Sequence, residues 1–216
     1  MGKVSRTAER LNEGVANTPG MAAILGFEFL AGQRLVLVEG ETGGVQAVYA
    51  LSIARDALKK GRKVVYITHQ SREDILKLME GYALEANGME IADNVSEWRT
   101  VPIPEGALVV LDSLPFFSAE DTREGMRRLV SDMARAARPG RTILLLSETG
   151  ILHPSHELLA SALADGVVRF LAEREGEKIR RFIHVPKMRG YLPIDRMIPF
   201  TLTEQGILID PRERYG

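Results

Sequence analysis

The sequence contains no cysteine. Disulfide bridges and thiolate metal centres are therefore excluded, and a reducing interior is the default setting. No charge of one sign dominates: 28 Lys and Arg stand against 29 Asp and Glu, for a formal net charge of −1. Such a chain has no global field to draw it to nucleic acid or to a membrane surface. Long apolar runs are missing as well. None approaches the ~20 residues that span a bilayer, and the opening stretch MGKVSRTAER has no apolar signal core. A cytoplasmic location without a membrane partner is the expectation. Asn and Gln are scarce beside Arg, Lys and Glu, a balance that leans towards a thermophile.

What is present is an ordinary globular mixture, 45% hydrophobic and 26% charged, in 216 residues. That is enough for one domain with a sizeable core. Residues 1–17 read as a short arm or amphipathic helix (Val4, Ala8, Leu11, Val15), and residues 18–216 as a single domain.

Apolar runs at 35–38, 64–67, 108–111 and 142–146 read as strands buried on both faces. Helical periodicity fills the gaps between them: 45–60, stopped at Gly61; about 71–86, opened by Ser71 and Asp74; and about 120–138, with Ser118 as a possible cap and Pro139-Gly140 as the stop. His153-Pro154-Ser155 leads into a further short helix. This alternation predicts an α/β fold with a mainly parallel sheet flanked by helices. From Gly166 onward, short runs at 167–172, 178–185, 197–203 and 207–209 predict antiparallel hairpins at the sheet edge.

The first strand runs into Gly40-Glu41-Thr42-Gly43-Gly44-Val45-Gln46-Ala47. A strand, a glycine-rich turn and a helix are the setting of a phosphate-binding loop, where backbone N–H groups and a helix N-terminus surround phosphate. Against the pattern G-x-x-x-x-G-K-[ST], Gly40 matches. Val45 replaces the second glycine, Gln46 the lysine, and Ala47 the hydroxyl residue. Gln46 cannot balance phosphate charge, and Ala47 has no oxygen for Mg²⁺. Val45 is β-branched and resists the conformations open to glycine. The expectation is a vestigial nucleotide site. No cofactor is required, and ATP binding, if retained, is weak. The surviving pattern also fits a plain strand-turn-helix corner.

Several further segments resemble the KaiC-like branch of the RecA-fold ATPases. They are Thr18-Pro19-Gly20 with Leu25-Gly26, Val109-Val110-Leu111-Asp112-Ser113, Leu145-Leu146-Ser147-Glu148, and Leu163-Ala164-Asp165-Gly166-Val167-Val168. Lys187-Met188-Arg189-Gly190, Pro199-Phe200 and Gln205-Gly206-Ile207 complete the set. The resemblance implies a RecA-like three-layer fold. It makes Asp112 a Walker B-like residue that would hold Mg²⁺ through water in an active relative. It also implies catalytic Glu residues after the second strand, where this chain reads Thr68-His69-Gln70-Ser71. Gln70 can orient a water but cannot serve as a general base. No catalytic residue is therefore assigned.

In KaiC-like rings the Lys187-Met188-Arg189 tripeptide resembles the element that reaches a neighbouring subunit's nucleotide. Lys187 and Arg189 are thus trans-acting candidates, and equally read as outward charges on a hairpin. The expected function is that of a pseudo-ATPase, a regulatory or assembly subunit. It would work as a homo-oligomer or with an active RecA/KaiC-like paralogue. A weak ATP binder or slow ATPase is the second reading, and a nucleic-acid-binding accessory the third. The third would draw on Arg123, Arg127, Arg128, Arg135, Arg138 and Arg141, which also read as a solvated helix face. His153 and His156 have no evident third ligand, so no metal site is expected.

Overall fold

The structure is a computed structural model, and it describes residues 24–209 except 25, 31, 42, 43, 86, 119–121, 138, 139, 192 and 193. The arm at 1–17, Thr18-Pro19-Gly20, Leu25, and Thr42 and Gly43 of the loop lie outside the described residues. A short helix α1 (Phe27–Leu30) leads into β1 (Leu35–Gly40), then α2 (Val45–Lys59) and β2 (Val64–Thr68). There follow α3 (Arg72–Gly81), β3 (Glu90–Ala92), a 3-10 turn (Trp98–Thr100), β4 (Leu108–Asp112) and a short α4 (Leu114–Phe117). Then come α5 (Arg123–Ala136), β5 (Thr142–Glu148) and α6 (Pro154–Leu163). Strands β6 (Gly166–Glu175), β7 (Lys178–Met188), β8 (Ile198–Thr203) and β9 (Gly206–Ile209) close the described chain.

Among the described residues the nine strands form one sheet in the order β3-β2-β4-β5-β1-β6-β7-β8-β9. Pairing is parallel from β3 to β6 and antiparallel from β6 to β9. The all-apolar strand sequences are explained by burial on both faces. Leu35, Val36, Leu37 and Val38 are buried in turn, their side chains feeding two separate cores. One core packs under α2, with Val36, Val38, Tyr49, Ile53, Tyr66 and Leu144. The other packs under α5 and α6, with Leu35, Leu37, Val109, Met126, Val130 and Leu145. This is the three-layer, mainly parallel α/β architecture with added antiparallel strands that the sequence pattern predicts.

Three local details differ from the sequence pattern. The cap of α5 is Thr122, whose side chain accepts from the Gly125 N–H at 3.0 Å; Ser118 instead closes α4. Helix α3 ends at Gly81, where Ala83 turns to a positive φ of 46° and Leu84 N–H returns to Met79. The edge strand β3 is only three residues long, too short to announce itself by period.

Candidate functional site

In a parallel sheet the strand C-terminal ends gather at one edge, where ligands of open α/β folds bind. Here the ends of β1, β2, β4 and β5 bring together Gly40, Gln70, Asp112 and Glu148. The register sets Gly40 beside Glu148 and Thr68 beside Asp112. Thr149 ties the corner further, donating both its N–H (2.9 Å) and its hydroxyl (3.3 Å) to the Gly40 carbonyl.

Gly44 precedes α2 in the left-handed region, at φ 78°. This positive φ falls on a glycine, and Val45 enters the helix as its first residue. The helix start has no side-chain cap. Glu41 is exposed and Val45 half-buried, while Gln46 and Ala47 are buried.

Gln46 does not point outward. Its Nε2 donates to Glu148 Oε1 at 3.3 Å, and Ser113 Oγ donates to Glu148 Oε2 at 2.8 Å. The Glu148 carboxylate therefore bridges the start of α2 and the end of β4. The amide orientation of Gln46 follows, because the reverse would set two oxygens together. Its Oε1 lies over the Gly40 backbone with no hydrogen-bond partner. A buried acceptor left so costs about 1–3 kcal/mol.

A second group surrounds Asp112. Tyr66 Oη donates to Asp112 Oδ2 at 2.8 Å and Gln70 Nε2 donates to the same oxygen at 3.2 Å. Burial pushes the Asp112 carboxyl up to about 6; the Tyr66 hydrogen bond opposes the rise, the Glu148 charge adds to it, and His69 opposes it. His69 places Nδ1 3.3 Å from the Asp112 carbonyl oxygen and stacks on the exposed Phe116 ring, centroids 3.5 Å apart. Neither Asp112 nor Glu148 is hydrogen-bonded to a Lys or Arg among the described residues. No group of three or more potential ligands is placed to hold a metal ion among the described residues.

Sequence reasoning singled out Gly40, Gln46, Ala47 and Asp112 and gave Glu148 no role beyond its strand. Only the β1–β5 register shows that Glu148 is the group to which Gln46 answers.

Lys187 and Arg189 lie at the opposite end of β1. Met188 pairs with Gly166, which pairs with Val36, whereas the loop begins at Gly40. Both side chains are exposed yet engaged. Lys187 Nζ donates to the carbonyls of Ala162 (2.9 Å) and Ser161 (3.4 Å) in the last turn of α6. Arg189 pairs with the buried Asp165 at 2.8 Å, and Arg34 holds the same carboxylate from its other side, at 3.1 Å. Neither residue reaches the chain's own loop. The arginines of α5 are partly paired within it, as in the Arg127–Glu124 pair at 2.8 Å. His153 serves as the cap of α6, its ring nitrogen accepting from the Ser155 N–H.

This strand order, with a glycine turn between β1 and its helix, defines a RecA-like α/β domain. A crystal structure of a KaiC-like protein from the hyperthermophilic archaea (Pyrococcus horikoshii OT3) superposes with a TM-score of 0.64, over 84% of this chain and 90% of that one, at 18% identity. At that identity the likeness shows the fold alone. The family profile "ATPase: KaiC" matches residues 102–214, from before β4 to beyond β9. The chain belongs to the KaiC ATPase family. No curated protein matches it. Among the described residues no helix is long and apolar enough to cross a membrane.

Proposed function

We propose that this KaiC-family domain has given up ATP hydrolysis and acts through protein contacts, as a regulatory or assembly subunit. The observation that carries the reading is the Gln46–Glu148–Ser113 bridge. The position that should carry a lysine towards phosphate holds a buried neutral amide turned onto a carboxylate. Ala47 offers no oxygen to Mg²⁺, and the end of β2 presents His69 and Gln70 in place of carboxylates. These residues do not suit a magnesium triphosphate: two carboxylates would face its negative charge, and no described cation is bonded beside them to offset them. No hydrolytic step is therefore assigned to this chain.

The test is titration of the purified chain with Mg-ATP by calorimetry, alongside a phosphate-release assay. The reading expects no sub-millimolar binding and no turnover above a blank. Robust turnover by the chain alone would sink it. The uncapped start of α2 favours a second reading. Its free backbone N–H groups still suit an anion, so weak nucleotide binding without catalysis would show as millimolar saturation in the same titration.

Lys187 and Arg189 extend the proposal to partners. Placed at the far end of β1, they suit a neighbouring subunit's nucleotide in an oligomer, with a second copy or an active paralogue. Nucleic acid is a weaker partner for this chain, because its net charge is −1.

A further inference from the structure

The antiparallel extension of the sheet leaves an opening beside the vestigial loop. Between the start of α2 and strands β6, β7 and β8 lies a cavity of about 240 Å³. Its apolar lining comes from Val45, Phe170, Phe200 and Leu202. Phe170 and Phe200 are buried and meet edge to face, with centroids 5.5 Å apart. This wall exists because the strands run on past the cover that α2 provides.

Arg181 lines the same cavity. It pairs in register with Phe200 of β8 and Ala172 of β6, so its side chain rises from the face of β7 that also carries Ile183 of the core. A half-buried guanidinium on an apolar face is expected to have a carboxylate beside it. Arg34, Arg169 and Arg189 each have one. Arg181 has neither an ion pair nor a hydrogen-bond partner among the described residues. Glu41, at the rim of the cavity, does not pair with it.

We propose that this cavity binds a small monocarboxylate with an aromatic or branched aliphatic body. The guanidinium fork matches a carboxylate in two parallel hydrogen bonds, and partial burial strengthens that match. The two phenylalanine rings and Leu202 take the apolar body. The cavity of about 240 Å³ has room for one ring and a short chain. Glu41 at the rim repels a second negative charge and so disfavours polyanions. The cavity shares Glu41 and Val45 with the phosphate loop, but the groups that would hold the ligand, Arg181 and the two rings, belong to β6, β7 and β8.

The test uses the full chain and 3-phenylpropanoate as probe, by calorimetry and by amide chemical-shift perturbation. Expected are saturable single-site binding and shifts centred on Phe170, Arg181 and Phe200. The uncharged 3-phenylpropanamide should bind at least tenfold more weakly, and Arg181→Gln should weaken the acid to the same degree. Lack of saturation up to ~10 mM, a dissociation constant too weak to mark a built site, would overturn the proposal. So would equal affinity for acid and amide on the native chain, a comparison that holds even where Arg181→Gln unfolds. Displacement of the probe by adenosine at lower concentration would assign the cavity to a nucleobase and overturn it too. The Mg-ATP titration reads the loop and the acid–amide pair reads this cavity, so the two readings fail separately.

Discussion

Gln46 donates its amide to Glu148, 3.3 Å away, across the gap between the start of α2 and the end of β5. In the phosphate-loop pattern this position carries the cation, so the bridge turns inward the side chain that would face a ligand. Restoring both missing groups tests whether they alone limit binding. Gln46→Lys with Ala47→Thr is expected to tighten Mg-ATP at least tenfold, since a hydrogen bond to a charged group is worth about 1.5–3 kcal/mol. Turnover should remain at background, because the end of β2 still offers no carboxylate base. Calorimetry and phosphate release on the double variant check the two halves separately.

Gly40 makes the inward turn of Gln46 feasible. A Cβ added there would sit 2.6 Å from Gln46 Oε1. Gly40 has no positive φ, so alanine brings no backbone strain of its own. Gly40→Ala must then push Gln46 off Glu148, at a cost of about 1 kcal/mol for the lost hydrogen bond. The same substitution in a Gln46→Ala background should cost close to nothing. Urea midpoints of the four chains give the coupling; equal costs in both backgrounds would mean that Gly40 acts through something other than Gln46.

Asp112 makes a prediction about pH. Burial raises its carboxyl from the ordinary 3.8 to about 6. A raised carboxyl means that the folded chain holds the proton more tightly than the unfolded one. Its contribution therefore favours folding most below pH 4 and is lost as pH rises from about 4 to about 6. A shift of this size is worth roughly 3 kcal/mol. Asp112→Asn keeps an oxygen for Tyr66 and Gln70 but cannot ionise. The stability difference between variant and parent should grow in the variant's favour across that window and level off above pH 7. A flat difference from pH 4 to 7 in urea unfolding would refute it.

The elements the sequence made legible are those whose physics is local. Four parallel strands announce themselves because burial on both faces demands an unbroken apolar run, as at Leu35–Val38 and Leu108–Leu111. The loop was legible as a departure from a pattern, residue by residue. Glu148 was not, since the Leu145–Glu148 segment reads as a further sheet strand of the family pattern and assigns its last residue no role. Its meaning depends on β5 lying beside β1, a pairing across 108 residues of chain (Gly40 with Glu148) that periodicity does not encode. Arg181 escaped for the same reason. In sequence it is one of two adjacent arginines, and only the register with Phe200 shows that it rises from the apolar face while Arg180 pairs with Glu175. The sequence pattern offers Ser118 as the α5 cap, whereas the cap is Thr122, because two hydroxyl residues compete there and the short α4 takes up the first.

Asp165 separates a structural role from a partner-facing one at the far end of β1. It accepts from the Arg34 side chain at 3.1 and 3.2 Å, from the Arg34 and Leu35 backbone N–H groups at 3.1 and 3.4 Å, and pairs with Arg189 at 2.8 Å. Burial alone would raise its carboxyl; the Arg34 hydrogen bonds, its charge and that of Arg189 hold it below the ordinary range. Its contribution to stability is therefore present above the ordinary carboxylate pKa and lost as pH falls through the lower folded value. Asp165→Asn removes the carboxylate that Arg34 and Arg189 share and should cost about 1.5–3 kcal/mol for the lost charged hydrogen bonds, with a flatter acid limb below pH 4. Arg189, its side chain 65% exposed, shares that carboxylate with Arg34, so Arg189→Ala should cost under about 1 kcal/mol. The contrast makes Arg189→Ala a usable probe of assembly. A folded Arg189→Ala chain mixed with an active KaiC-family partner should lower that partner's ATPase relative to the parent chain, if the tripeptide reaches across the interface. An unchanged rate, with thermal melts showing the variant intact, would leave Arg189 as a strut for Asp165 and nothing more.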